Sequence, residues 1–368
     1  MKLKYGPHTP RLKIVEQYIR ELFRDELPDG IKYHNADHTL HPTKGVVAVA
    51  NHIAISENIS EHDRELLITA AYFHDTGYIR EYEKNEPIAA RMAGRILKLI
   101  GYKANEVAKV QKMILSTDFE RDPKTHVEKI ICDADLDNLG REDFFILDGK
   151  LREGRRARGI DVSDDLKWYR STLEIIEKHQ YYTESQKKLR EKGKQKNIKR
   201  LLNKLEDIEK KKIGEFQALL KPVTEFISGM AIGSKLAEEL NRRFPPGGET
   251  FDKIEKACHK AIADGWMCAN GDAGGPRWGR VIEPCEETGG LSVDVVDLAD
   301  LVGGHHSHPV GEVCMVMPIT PGAQFDGTDR GWCVFEPGTA HHPTVTNGEA
   351  LVLYMLPDGK IEFTEPRE

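Results

Sequence analysis

The chain has 368 residues, enough for two ordinary domains, and its 39% hydrophobic and 31% charged residues strike a globular balance. That composition excludes a fully disordered chain, a fibre and a disulfide-stapled mini-protein. The net charge of −7 conceals an asymmetry: residues 213–368 hold 12 Lys/Arg against 24 Asp/Glu, whereas 186–212 alone hold 12 against 4.

The opening Met1-Lys2-Leu3-Lys4-Tyr5-Gly6 lacks the apolar run of a signal peptide. The longest mainly apolar stretch, Gly45 to Ile55, is interrupted by Asn51 and His52 and is far too short to span a bilayer. A cytoplasmic protein with no membrane partner is expected. The six cysteines (132, 258, 268, 285, 314 and 333) include no Cys-x-x-Cys pair, which argues against a zinc ribbon and for buried reduced thiols.

Leu12, Val15, Tyr18, Ile19 and Leu22 share one face of a helix over 10–25. The same period predicts helices at 45–59, 62–75, 87–100, 104–116 and 165–178, with almost no strand alternation before 213. The Lys-rich stretch 186–212 reads as a basic, partly helical linker. It lacks interleaved aromatics, so nucleic acid is not an expected partner. Helical patterns return at 214–228, 231–243 and 249–264. Beyond Gly271, short β-rich runs are predicted at 279–282, 291–296, 312–317, 332–335, 350–355 and 360–363, a pattern that suits a small barrel or sandwich. The expected plan is therefore multidomain: an all-α domain over 1–185, the linker over 186–212, and a β-barrel domain with N-terminal helices over 213–368.

Three clusters in the helical half carry metal-ligand chemistry: Tyr33-His34-Asn35-Ala36-Asp37-His38-Thr39, Phe73-His74-Asp75-Thr76-Gly77 and Cys132-Asp133-Ala134-Asp135-Leu136-Asp137. Imidazole and carboxylate together suit divalent cations, and several Asp favour Mn, Fe or Mg over Zn. The pattern resembles the HD-domain metal-dependent phosphohydrolase superfamily over roughly residues 10–185, on a His…His-Asp…Asp signature. The resemblance implies that His38, His74, Asp75 and Asp135 hold the metal, with Asp135 preferred to Asp133 because the last ligand usually follows a small residue, here Ala134. It also implies His34 as a general acid, and water attack on the phosphorus of a phosphoester while the cation neutralises developing charge. One departure is His41-Pro42-Thr43-Lys44-Gly45, where Pro42 starts or breaks a helix. It leaves His41 as an alternative first ligand.

In the β half, His306-Ser307-His308-Pro309-Val310-Gly311-Glu312 places two imidazoles at i, i+2 on one face of an extended chain, and Glu312 keeps that parity. Pro337-Gly338-Thr339-Ala340-His341 adds a turn and a third imidazole. Three nitrogens and a carboxylate leave open positions on a six-coordinate ion, which suits catalysis. This looks like a cupin, with His306, His308, Glu312 and His341 as ligands, His342 as an alternative fourth ligand and His305 as a neighbour. The resemblance also implies a homodimer through the barrels.

Phe244-Pro245-Pro246-Gly247, the stretch from Cys258 to Gly265-Trp266, Gly275-Pro276-Arg277-Trp278-Gly279-Arg280-Val281, Ser292-Val293-Asp294-Val295-Val296-Asp297 and the stretch from Trp332 to Pro337-Gly338 are together similar to the p-hydroxylaminobenzoate lyase family. That family turns 4-hydroxylaminobenzoate into 3,4-dihydroxybenzoate and ammonia. Here His305 or His342 could act as base, Arg277 or Arg280 could fork the benzoate carboxylate, and Trp278 and Trp332 could line an aromatic pocket. The expected protein is a two-domain metalloenzyme acting on small molecules, a phosphoester and an aromatic hydroxylamine. A divalent metal is expected at each site, with Mn, Fe, Zn, Ni and Mg not distinguished. The alternatives are a cupin that senses a small ligand and regulates the HD domain, and an HD half that only scaffolds the cupin.

Overall fold

The structure, a computed structural model, describes residues 9–271 and 275–364. The opening hexapeptide read for a signal peptide lies outside them. The chain divides into two compact units, Met1–Leu205 and Glu206–Glu368. No helix among the described residues is long and apolar enough to cross a membrane.

The first unit is helical. Thr9 caps helix Pro10–Glu26 by accepting from the Leu12 amide, and Ser60 caps Glu61–Phe73 in the same way through Asp63. Helices Val46–Ser56, Asn85–Leu99, Ala104–Leu115 and Asp165–Lys178 follow the expected apolar periods. Three further helices, Ala36–Leu40, His126–Asp135 and Phe144–Ala157, were not anticipated. The first is a short turn made by the Asn35 side chain, which accepts from the Asp37 and His38 amides. The core runs through Val15, Ile19, Ile53, Leu67, Phe73, Ile114 and Ile130, all buried. The helix expected over 62–75 stops at Phe73, and a short 3₁₀ turn at Thr76–Ile79 follows, so His74 and Asp75 sit at its end.

Helix Glu184–Ser228 contains the whole Lys-rich stretch. Residues 186–205 belong to the first unit, and three of their polar side chains, Gln186, Lys194 and Asn197, are buried for specific reasons. Gln186 and Arg190 bond the Asp137 carboxylate, Lys194 donates to the His179 carbonyl, and Asn197 donates to the Leu139 and Arg141 carbonyls. Gly193 and Gly140 meet where neither position has room for a Cβ. At the start of this helix, Asp133 accepts from the Tyr182 and Thr183 amides and the Thr183 hydroxyl. Just before it, His179 is 5% exposed, edge-on to Tyr181, and its Nδ1 has no hydrogen-bond partner.

The second unit packs Phe216, Leu220, Leu236, Leu240, Phe251 and Ile254 from its helices onto a sheet. Its strands are β1 (Asn270–Gly271), β2 (Arg277–Ile282), β3 (Leu291–Val302), β4 (His306–His308), β5 (Glu312–Pro318), β6 (Gln324–Phe325), β7 (Gly331–Phe335), β8 (Thr339–His341), β9 (Thr344–Pro357) and β10 (Glu362–Phe363). They pair antiparallel in the order β1-β2-β3-β9-β5-β7, with β6 on β9, and separately as β10-β4-β8. The expected helical domain followed by a β domain is therefore present. Among the described residues the strands make two sheets and close no barrel.

Alternation divides the main sheet into two faces. Val313, Met315, Met317, Leu351, Leu353, Met355 and Trp332 face the helices. Cys314, Val316, Val352, Tyr354 and Phe325 form a second cluster on the other side. Trp332 is 3% exposed, donates from Nε1 to the Phe244 carbonyl at 2.7 Å and packs edge-on against Phe251.

Two stability measurements test this packing. Trp332→Ala should cost about 3–5 kcal/mol in urea unfolding, as a core truncation does; a cost near zero would contradict its placement. Burial first, and then the Lys194 ammonium, push the His179 pKa down to about 4. An unfolded histidine titrates near ~6.5, so between that pH and 4 the unfolded chain binds the proton that the folded one refuses. The stabilisation by neutral His179 is complete above pH ~6.5 and lost as the pH falls toward 4. His179→Gln should flatten this part of the melting-temperature profile, and an unchanged slope would refute the assignment.

Candidate functional site

In the helical unit, His38 Nε2 lies 3.0 Å from Asp135 Oδ1 and 3.4 Å from Asp75 Oδ2. His74 Nε2 lies 3.2 Å from Asp75 Oδ2 and 3.4 Å from Asp135 Oδ1. His74 Nδ1–H donates to the Ala71 carbonyl at 2.8 Å, which turns Nε2 toward the carboxylates. Burial alone would raise both carboxyl groups, but the neighbouring histidines outweigh it and hold Asp75 and Asp135 below the usual range. Burial alone would likewise lower His74, and the Asp75 carboxylate outweighs that and raises it. The cluster thus calls for positive charge at its centre. His74 Nε2 and Asp75 Oδ2 are buried with no hydrogen-bond partner, as atoms facing a cation are. Ligand atoms of His38, His74 and Asp135 all fall within 4.8 Å of one another, so the donor set fits a divalent ion.

The neighbouring candidates have other positions. His41 Nδ1 accepts from the Thr43 and Lys44 amides and secures the turn that Pro42 enters, apart from the cluster. Asp133 is consumed by the start of the long helix. His34 stacks on Tyr78 with ring centroids 4.1 Å apart and its Nε2 3.4 Å from the Tyr78 hydroxyl. Burial pushes His34 down to about 4, so it is neutral at pH 7. Sequence reasoning missed Tyr78, which lies two residues past the His74-Asp75-Thr76 run, and Tyr33, buried against His38.

In the β unit, β4 pairs with β8 so that His306 is opposite His341 and His308 opposite Thr339. Each imidazole commits Nδ1. His308 Nδ1 bonds Thr339 Oγ1 at 2.9 Å; since that hydroxyl donates to the Glu336 carbonyl, the proton in the bond is the imidazole's. His306 Nδ1–H donates to the Gly304 carbonyl, and His341 Nδ1 pairs with Asp326. Three Nε2 lone pairs therefore converge, His306 and His341 at 3.1 Å from each other. Glu312 Oε2 is 3.5 Å from both His306 and His308 Nε2. Lone pairs this close repel unless something electron-poor lies between them. His308 Nε2 and Glu312 Oε2 are buried without partners, and burial pushes His308 down to about 4. The set fits a divalent cation with open positions.

Three side chains beneath these ligands escaped the sequence reading. Thr339 and Asp326 set the tautomers of His308 and His341, and the Cys314 thiol donates to Glu312 Oε1 at 3.1 Å. Cys314 and Thr339 had a signal, their i, i+2 parity with Glu312 and His341. The rings against the histidines are Phe325, Phe335 and Phe363. Trp332 faces the helices instead, and Trp278 is 49% exposed on β2. Arg277 pairs with Asp297 on the helix-facing side. Arg280 stands on the face that carries Glu312, where it already bonds Asp294, Glu283 and the Gly359 carbonyl. The His305 and His342 rings lie 4.9 Å apart at a 58° tilt, with Nδ1 engaged by Thr364 and by the Gly303 carbonyl respectively.

A family model described as 4-hydroxylaminobenzoate lyase matches residues 218–363, and one described as HD domain matches 36–137. A 4-hydroxylaminobenzoate lyase of Nocardioides sp. (strain LMS-CY) is 33% identical over 159 residues, covering 40% of this chain and 93% of that protein. One from Pseudomonas putida is 34% identical over 141 residues, covering 34% and 80%. The crystal structure of Bacillus subtilis YpgQ in complex with ADP matches with a TM-score of 0.39 and 16% identity, over 55% of this chain and 97% of that one.

Metal analysis after dialysis tests both clusters. The chain should hold about one divalent ion per cluster, with His74→Ala and His308→Ala each losing one. Thr339→Val should weaken the β-unit ion about tenfold by releasing the His308 tautomer. An unchanged metal content in His308→Ala would contradict the cluster.

Proposed function

Through its C-terminal unit the chain belongs to the 4-hydroxylaminobenzoate lyase family, with an HD domain fused ahead of it, and on that premise we propose a two-site metalloenzyme. Its C-terminal unit converts 4-hydroxylaminobenzoate to 3,4-dihydroxybenzoate and ammonia. Its N-terminal unit hydrolyses a phosphoester. The observation that carries the lyase reading is the convergence of three imidazole Nε2 atoms and one carboxylate oxygen within the part of the chain that matches the family.

The reaction is redox-neutral: the N–O bond takes up the two electrons the ring gives up, one net water is consumed, and nitrogen leaves as ammonia. His306, His308, Glu312 and His341 would hold the divalent cation, which when bound supplies Lewis-acid polarisation to help oxygen leave nitrogen. His305 and His342, with Nδ1 engaged, present Nε2 to take a proton from the attacking water or from the ring. Phe325 and Phe335 close the site on its apolar side and exclude water there. Arg280, on the sheet face that carries Glu312, would exchange its Asp294 contact for the benzoate carboxylate.

In the helical unit, His38, His74, Asp75 and Asp135 would hold a cation that neutralises charge on the phosphoryl oxygens. His34, neutral through burial, shares a proton with the Tyr78 hydroxyl and places that donor beside the leaving oxygen.

Ammonia release from 4-hydroxylaminobenzoate, with the product identified by chromatography, tests the lyase. Dihydroxybenzoate should form with the native chain and be abolished in His308→Ala; no ammonia from metal-loaded protein would reject the substrate. Phosphate release from a generic phosphoester should vanish in Asp75→Ala while ammonia release persists. Unchanged phosphate release in that variant would reject the HD assignment.

A further inference from the structure

Of the six cysteines, only Cys285 and Cys333 are not buried, and the Cys285 sulfur contacts Gln217 and Thr288. Cys333 lies on β7, at one end of the main sheet, where β5 sets Cys314 directly opposite it. Residues so opposed on antiparallel strands share a face, with Cα atoms about 4.5–5.5 Å apart, inside the roughly 4.4–6.8 Å that a disulfide spans. Both belong to the cluster on the side away from the helices, and the two thiols interact. Cys314 is wholly buried and donates to Glu312 Oε1 at 3.1 Å, while Glu312 Oε2 faces the imidazoles. Burial above all keeps that thiol protonated, so Cys314 is the donor in this bond and Cys333 the sulfur that solvent reaches first. One thiol pair thus joins the protein surface to a carboxylate of the cluster.

We propose that Cys333 and Cys314 are a modification site that a small disulfide, such as oxidised glutathione, converts to a protein disulfide, and that the bridge loosens the ion held by Glu312. In the first exchange the Cys333 sulfur attacks one sulfur of the oxidant, a mixed disulfide forms, and one small thiol leaves with the Cys333 proton. In the second the Cys314 sulfur attacks that of Cys333, and the other small thiol leaves with the Cys314 proton. Two electrons pass from the protein to the oxidant, whose S–S bond breaks as the Cys314–Cys333 bond forms. A bridged sulfur has no hydrogen to donate, so Glu312 Oε1 is left buried without its partner. Outer partners that orient a ligating carboxylate are worth about tenfold or more in metal affinity. The loosening rests on the metal reading of the β-unit cluster; the bridge itself does not.

Mass spectrometry of linked peptides and titration with Mn read the two parts separately. The full-length chain carrying His74→Ala, so that only the β-unit cluster binds, would be equilibrated with oxidised glutathione and alkylated before digestion. A Cys314–Cys333 cross-link that dithiothreitol reverses should appear, and the bridged chain should bind Mn about tenfold more weakly. Cys333→Ser should bind Mn like the reduced chain and ignore the oxidant. Cys314→Val, which lacks the donor, should show the weaker binding without any oxidant, whereas Cys314→Ser, which keeps one, should retain most of the affinity. No cross-link, or glutathione left as an adduct on Cys333, would overturn the proposal, as would a bridged chain with unchanged Mn affinity. A reduced chain that binds no Mn would reject the metal reading instead, and the cross-link would then uphold the modification site alone.

Discussion

The β unit depends on one electrostatic problem: three imidazole lone pairs and a carboxylate oxygen point at one another inside a buried space. Such an arrangement is unfavourable on its own, because lone pairs at 3.1 Å repel and an unpaired buried carboxylate is costly. It persists because each ring is held from behind. Gly304, Thr339 and Asp326 take the three Nδ1 positions, and Cys314 takes one oxygen of Glu312. The antiparallel pairing of β4 with β8 does the rest by setting His306 opposite His341. A cation at the centre turns this repulsion into attraction, so the fold stores the geometry and the ion supplies the charge.

The helical unit solves the converse problem. There carboxylates dominate, Asp75 and Asp135 are held low, and His74 is driven upward. The neighbouring acids are removed from competition by specific bonds: Asp133 holds the start of helix Glu184–Ser228, and Asp137 is bound by Gln186 and Arg190. A run with three aspartates thus contributes only one to the cluster. The basic stretch after it is part of the same arrangement, since its buried Gln186, Lys194 and Asn197 bind the unit's loops.

Much of this was legible in the residues. The His-Asp doublet and the His-x-His run each point to one ion, because parity and adjacency are local properties. The helical half and the β-rich half were separable for the same reason. What escaped were features set by tertiary contact. Helix His126–Asp135 carries Asp135, yet only its end from Cys132 was read, as a ligand motif, and its capping box at Thr125 and Glu128 was passed over. Thr339, Asp326 and Tyr78 acquire their roles from partners between 15 and 44 residues away, which no periodicity reports. Trp332 shows the reverse case: its sequence neighbourhood suggested a pocket, while strand alternation sent the ring to the helix-packed side.

The central claim is that a divalent ion sits among His306, His308, Glu312 and His341. X-ray absorption on the Mn-loaded chain with its helical cluster emptied by His74→Ala would read the ligands directly. The account predicts three imidazole nitrogens and a carboxylate oxygen around the remaining metal, with the imidazole signal reduced in His306→Ala. A spectrum of oxygen ligands alone, or one unchanged by that substitution, would contradict it.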